Sequence, residues 1–287
     1  MKKIVASLVA LLVCLPVFAE LKQHNLEIAY EHSDYGYREP HMEHPIRDHG
    51  RKQGASLVYT RNSVVSQDVT DDDPSFASLE LRYMDGKVDY DGYLWSGAPF
   101  KSYDERDYYW EFALKVGRYY KWGEPVSIWP YLGIAYRSLR NGEDGEMDYG
   151  GVTGTTYQRT SNYLFMPIGS TLVFEAGDVF KLSLNTEFDW LLRGTQSSHM
   201  RGMFTNTNVA TNHQNKGFGL RASVKAEFDI NGVGVFVEPF WRYWKIQNSD
   251  PFYYGHDTEG GGFIVTGYLL EPFNITREYG IRAGVKF

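Results

Sequence analysis

An all-β, ten-stranded antiparallel transmembrane β-barrel is the fold this sequence predicts, on three observations. First, residues 274–287, NITREYGIRAGVKF, alternate strictly. Tyr279, Ile281, Ala283, Val285 and Phe287 fall on one face of an extended strand, and Glu278, Gly280, Arg282, Gly284 and Lys286 fall on the other. Second, nine further segments upstream carry the same period of two. Third, the connections between them alternate long and short, the first inter-hairpin turn being somewhat extended. A strand that is apolar on one side and ionic on the other needs an oily exterior and a wet or paired interior.

The composition agrees. The 287 residues include 22 Tyr, 17 Phe, 7 Trp and 29 Gly, a mixture that favours strands and tight turns. Only the N-terminus is continuously apolar. Lys2 and Lys3 precede the run Ile4 to Val17, and Val17-Phe18-Ala19 supplies the small residues a signal peptidase reads. Residues 1–19 are therefore expected to be a cleavable signal peptide and residues 20–287 the barrel. Cys14 is the only cysteine and lies inside the signal, with Val13 where a lipobox wants a small residue. The remaining chain has no thiol for a disulfide, a CxxC metal site or a nucleophile. A net charge of -7 disfavours nucleic acid as a partner.

In chain order, the strands are expected at residues 25–38, 54–61, 76–84, 108–119, 127–138, 163–174, 179–192, 217–228, 233–246 and 274–287. A parity slip at Gly86-Lys87-Val88-Asp89-Tyr90 predicts a bulge extending the third. Polar segments 40–50 and 62–74, a long segment up to Arg106, and loops 141–160, 193–215 and 247–273 separate the strands. Lys121-Trp122-Gly123-Glu124-Pro125, Glu175-Ala176-Gly177-Asp178 and Asp229-Ile230-Asn231-Gly232 are short turns, the last with an Asn-Gly hairpin signal.

The polar faces carry Glu80, Arg82, Glu111, Lys115, Glu187, Asp189, Arg221, Lys225, Glu227, Glu238, Arg242, Glu278 and Arg282. A dry core would exclude these charges unless they were paired, whereas a narrow lumen accommodates them as cross-strand ion pairs or as a polar path. A soluble barrel with an apolar interior has no use for such a face. Tyr30, Tyr59, Tyr119, Tyr120, Trp122, Trp190 and Trp244 suit aromatic girdles at the two membrane interfaces.

The signal segment, the ten alternating strands and the terminal Tyr-x-Ile-x-Ala-x-Val-x-Phe resemble Gram-negative outer-membrane β-barrel proteins. Tyr37-Arg38-Glu39-Pro40, Gly86-Lys87-Val88-Asp89-Tyr90, Gly194-Thr195-Gln196-Ser197-Ser198 and Tyr243-Trp244 resemble a ten-stranded group without an assigned function. The resemblance implies residence in the cell outer membrane, lipid as a partner, and Phe287 as the assembly signal read by the barrel-assembly machinery. It implies no cofactor. Ten-stranded barrels also include the omptin proteases, which by resemblance need an Asp pair and an Asp-x-His at the extracellular rim. Here Ser197 stands two residues before His199, and Asp104 and Asp107 are not spaced as that pair would be.

Other chemistry is thin. Ser197, Ser198 and His199 are adjacent, but neighbouring strand residues point to opposite faces and cannot form a nucleophile–base pair. His41, Glu43, His44, Asp48 and His49 crowd one loop in no known metal-ligand spacing. Asp71-Asp72-Asp73 lacks the Gly and distal Glu of a calcium loop. Phe252, Tyr253, Tyr254, Phe263 and Tyr268 in the last loop could contact a partner or fold over the barrel mouth. The function expected is thus a non-enzymatic structural or surface-interaction barrel. A narrow channel for small solutes and an omptin-like rim hydrolase are the alternatives.

Overall fold

Period-two patterning produces sixteen strands in the computed structural model, which describes residues 24–40, 45–63, 75–94, 97–123, 125–142, 145–149, 152–177, 179–200, 209–257 and 263–287. The expected signal peptide, the Asp71-Asp72-Asp73 turn and His41, Glu43 and His44 lie outside the described residues. Ten long strands form the wall: β1 (His24–Glu39), β2 (Ile46–Ser63), β3 (Ser75–Tyr93), β4 (Pro99–Arg118), β6 (Val126–Asn141), β9 (Arg159–Ala176), β10 (Phe180–His199), β12 (Gly217–Ile230), β13 (Val233–Ile246) and β16 (Asn274–Lys286). Each pairs antiparallel with its neighbours, and β16 pairs with β1 to close the cylinder. The short β5 (Tyr120–Lys121) and β11 (Val209–His213) lengthen the sheet at its edges. Two hairpins, β7 (Gly145–Tyr149) with β8 (Val152–Thr156) and β14 (Phe252–Asp257) with β15 (Phe263–Leu269), stand in the long connections.

Outward residues form a belt of Leu, Ile, Val and aromatic side chains, among them Leu81, Leu114, Ile134, Leu172, Leu184, Val237 and Ile281, all exposed. Inward residues are charged and buried: Glu31 and Asp189 have no exposed surface. That inversion of a soluble protein's pattern makes the chain an outer-membrane-type β-barrel. Connections at the two ends do not sort strictly by length: only residues 40–45 and 94–98 separate β1 from β2 and β3 from β4 at the outer end, fewer than separate β2 from β3 at the other. At the β12–β13 turn, Asn231 and Gly232 both take positive φ (56° and 85°), the geometry a two-residue hairpin loop with the right-handed twist requires.

Several boundaries differ from the sequence reading. Strand β2 begins at Ile46, not residue 54, and β4 begins at Pro99, so the loop before it is only residues 94–98. Strand β10 runs on to His199, well beyond residue 192. All three extensions rise above the apolar belt, where the outer face is polar and the alternation carries no hydrophobic signal. Strand β3 shows no parity slip at Gly86–Tyr90. The irregularity lies opposite, where β4 accommodates an extra residue near Asp104, whose φ is 60°. A second register shift occurs at Leu191/Arg193 of β10.

Trp244 is also placed differently. It faces inward at 3% exposure, stacked on Tyr163 (5.8 Å) and edge-on to Phe165 (5.0 Å). With Ala113, Ala135, Leu191 and Ile246 it forms an apolar wedge inside the barrel, so it belongs to no girdle. Tyr30, Trp122 and Trp190 are exposed.

Candidate functional site

Inward positions on seven strands converge on one ion-pair layer across the lumen. Arg82 on β3 donates to Glu31 (3.1 Å) and Glu111 (2.6 Å). Arg221 on β12 donates to both oxygens of Glu111 (2.6 and 2.9 Å) and to Asp189 (2.6 Å), and lies 3.2 Å from Glu187. Glu111 therefore bridges two guanidinium groups from strands on different sides of the barrel. Arg242 on β13 adds a bond to Glu31 (2.7 Å) and one to Glu278 (3.3 Å), and Glu278 also accepts from Tyr109 and Ser33.

The network continues toward the periplasm. Arg282 reaches Glu238 (2.6 Å) and Glu27 (3.1 Å), and Lys225 joins Glu27 (2.6 Å) to Glu227 (3.5 Å). Lys286 closes on Glu227 (3.1 Å), and Lys115 holds Glu187 (2.7 Å) and Glu80 (3.0 Å). A carboxylate buried in this way is tolerable because almost every lone pair meets a charged donor. Below the layer is a cavity of about 210 Å³ lined by Glu27, Lys115, Asn185, Lys225 and Glu238. Backbone packing matches the filling: a Cβ on inward Gly54 would overlap the Tyr83 carbonyl.

All thirteen charges singled out from the sequence take part in these pairs. The network also recruits Glu27, Glu31 and Lys286, which alternation places on the same polar face. Lys52 and Asp107, joined at 2.6 Å with neither side chain exposed, fall just before the strands read from residues 54 and 108, so the sequence did not place them on the inner face.

Above this layer lies a second cluster at the outer rim. Arg159 at the start of β9 faces three carboxylates: Glu39 (3.6 Å), Asp48 (3.7 Å) and Glu271 (4.0 Å). Tyr37 donates to Glu39 (2.7 Å) and Glu271 (3.3 Å), and Asn141 donates to Asp48 (3.3 Å). One cation for three acids leaves the cluster short of positive charge. Burial accordingly pushes the Asp48 carboxyl up to about 7, against the pull of Arg159 and with Asp107, Glu39 and Glu105 adding to the rise. Burial first, then Glu39, likewise raises Glu271. Asp48 Oδ1 and Asp107 Oδ2 have no hydrogen-bond partner among the described residues. These are sites for ordered water.

The remaining candidates do not assemble. Asp48 points inward and is buried while neighbouring His49 is exposed on the outer wall, so they cannot share a metal. Among the described residues, no group of three or more His, Cys, Asp or Glu is placed to hold one. Ser198 is buried on the inner face of β10, whereas Ser197 and His199 fall on the other, where Ser197 bonds Thr211 (3.0 Å). The β14–β15 hairpin presents Tyr253, Ile264, Val265 and Tyr268 to solvent, and Asn212 bonds the carbonyls of Asp250 and Leu269 at its stem.

Wall, belt and paired lumen define a ten-stranded antiparallel barrel of the outer-membrane class. Solved structures with this architecture include the outer-membrane protease OmpT of Escherichia coli, with TM-score 0.59 and 12% identity over 94% of this chain and 99% of that one. The translocator domain of the autotransporter NalP of Neisseria meningitidis aligns with TM-score 0.39 and 10% identity over 98% and 96% of the two chains. The attachment protein Ail of Yersinia pestis aligns with TM-score 0.32 and 9% identity over 92% and 99%. At 12% identity the likeness to the protease concerns the fold alone. No family model and no curated protein sequence matches the chain.

Proposed function

We propose that this barrel is a non-conducting, non-enzymatic scaffold that holds its outer hairpins at the cell surface for contact with a partner. The supporting observation is the Glu111 bridge: Arg82 and Arg221 meet on one carboxylate in the middle of the lumen. The channel alternative draws on the 210 Å³ cavity, but Arg82 and Arg221 form its lining at the level of that bridge. A rim hydrolase of omptin type lacks its motif, because Ser197 precedes His199 by two residues and both leave the lumen face of β10. The solvent-facing aromatics of β14 and β15 supply contact surface.

Planar-bilayer recording tests the reading. The isolated wild-type barrel is expected to give no discrete current steps under applied voltage. A quadruple Arg82→Ala, Glu111→Ala, Asp189→Asn, Arg221→Ala variant, which removes the bridge together with the buried carboxylate that Arg221 alone pairs, is expected to conduct. Stepwise conductance from the wild type would overturn the proposal in favour of the channel.

A further inference from the structure

On the outer wall above the apolar belt, four cations on β2, β3 and β4 are paired with carboxylates, whereas Arg140, bonded to Tyr108 and Gln158, and Arg193 have none in ion-pair reach among the described residues. Arg51 holds Asp34 (3.3 Å), Arg106 holds Asp85 (2.8 Å), Lys101 holds Asp91 (3.3 Å) and Lys87 faces Asp104 (3.5 Å). Arg38, Arg47 and Arg277 depart from this. All three are exposed, and none has a carboxylate within ion-pair reach among the described residues. Their positions are adjacent. Arg38 on β1 lies directly across from Arg47 on β2, and Gly36 sits between Arg277 of β16 and His49 of β2. Lys245 on β13, across from Ile275, extends the row. Asp91 lies across from Arg47 but is engaged by Lys101, and Asp89 is 4.0 Å from His49.

Like charges directly opposite on a sheet destabilise it, so this arrangement calls for an anion between them. Space for one exists. A Cβ on Gly36 would meet only the Asp48 carbonyl at 3.9 Å, and a cavity of about 470 Å³ opens there, bordered by Arg38, Arg47, His49 and Arg277, with the Lys101-engaged Asp91 at its margin. The height points to the source of the anion. Tyr279, 58% exposed, lies two residues below Arg277 on β16, next to Trp241 on β13 and above Ile281. The arginines thus stand one strand repeat, roughly 7 Å, above the aromatic edge of the lipid belt, at the level of headgroups.

We infer that Arg38, Arg47 and Arg277 form a site for the phosphate of a lipid headgroup in the surrounding leaflet. Guanidinium forks match phosphate oxygens bidentately, and the glycine gap lets the headgroup approach the wall. The site is separate from the outer hairpins and does not depend on what those contact.

Native mass spectrometry of the barrel isolated in neutral detergent tests this, using phosphatidic acid, phosphatidylcholine and inorganic phosphate as separate titrants. One phosphatidic acid should be retained in preference to phosphatidylcholine. The exposed triple variant Arg38→Gln, Arg47→Gln, Arg277→Gln should weaken that binding by on the order of a hundredfold. Arg51→Gln, which removes a paired cation on the same wall, should leave it unchanged. Equal retention by the triple variant and wild type would overturn the site. An equal loss in Arg51→Gln would reduce it to general surface charge. Inorganic phosphate binding as tightly as phosphatidic acid would overturn the lipid assignment and leave a soluble-anion site.

Discussion

Asp48 shares a single cation, Arg159, with Glu39 and Glu271 while almost fully buried. It lies above the lipid belt, since its outward neighbours Arg47 and His49 are exposed and polar. Its carboxyl is raised from 3.8 to about 7 in the folded barrel. A raised folded value means the native state binds the proton more tightly than the unfolded chain does. The stabilisation is complete below about pH 4 and is lost as pH rises through about 7, with a ceiling near 4 kcal/mol. The thermal unfolding midpoint in neutral detergent should therefore be higher at pH 5 than at pH 8, and Asp48→Asn should shrink that difference. Superimposable profiles for the two proteins would refute the role of Asp48. This cluster was illegible in the sequence: Asp48 stood among loop histidines, and Arg159 and Glu271 lay in segments with no apolar alternation.

Strand β10 carries the clearest element-scale lesson. Its inward residues are Glu187, Asp189 and Leu191, then Gly194, Gln196 and Ser198, so the parity changes at the Leu191/Arg193 shift. Leu192 and Arg193 are both exposed, which makes Leu192 the extra residue. Deleting Leu192 should leave every inward side chain inward, and the variant should refold with near wild-type yield by heat-modifiable gel mobility. Deleting Leu184 instead turns Ser183 and everything before it to the opposite face relative to Glu187, and folded yield should collapse. Equal yields would show that the shift does not set the register. The sequence reading ended this strand at residue 192 because the bulge breaks the alternation there. It placed β13 at 233–246 in full because that strand has no bulge and its outward face remains apolar or aromatic up to Tyr243.

At the scale of the whole molecule, closure joins the two ends of the described chain. Phe287 and Leu26 exchange backbone hydrogen bonds at 3.0 and 3.1 Å, and β16 then runs along β1 for twelve paired positions. Such long-range pairing forms late and slowly, which is why a terminal strand suits recognition by assembly machinery. Phe287→Ala is expected to reduce the amount of folded barrel in the outer membrane several-fold. The unfolding midpoint of barrel that does fold should change little, because only one edge side chain is lost. Unchanged abundance in cells would remove the assembly role.

The sequence by itself determined the number of wall strands, the side of each that meets lipid, and the ionic character of the interior. Period two is a local property, readable within a few residues wherever one face is apolar. Only the tertiary structure decided which charges meet. Arg282 and Glu27 stand 255 residues apart in the chain, and Glu111 and Arg221 stand 110 apart. The inward Trp244 wedge, the Arg159 cluster and the three unpaired arginines around Gly36 belong to the same category. Each arises from register between strands above or inside the lipid belt, where no solvent boundary imposes an apolar pattern on the sequence.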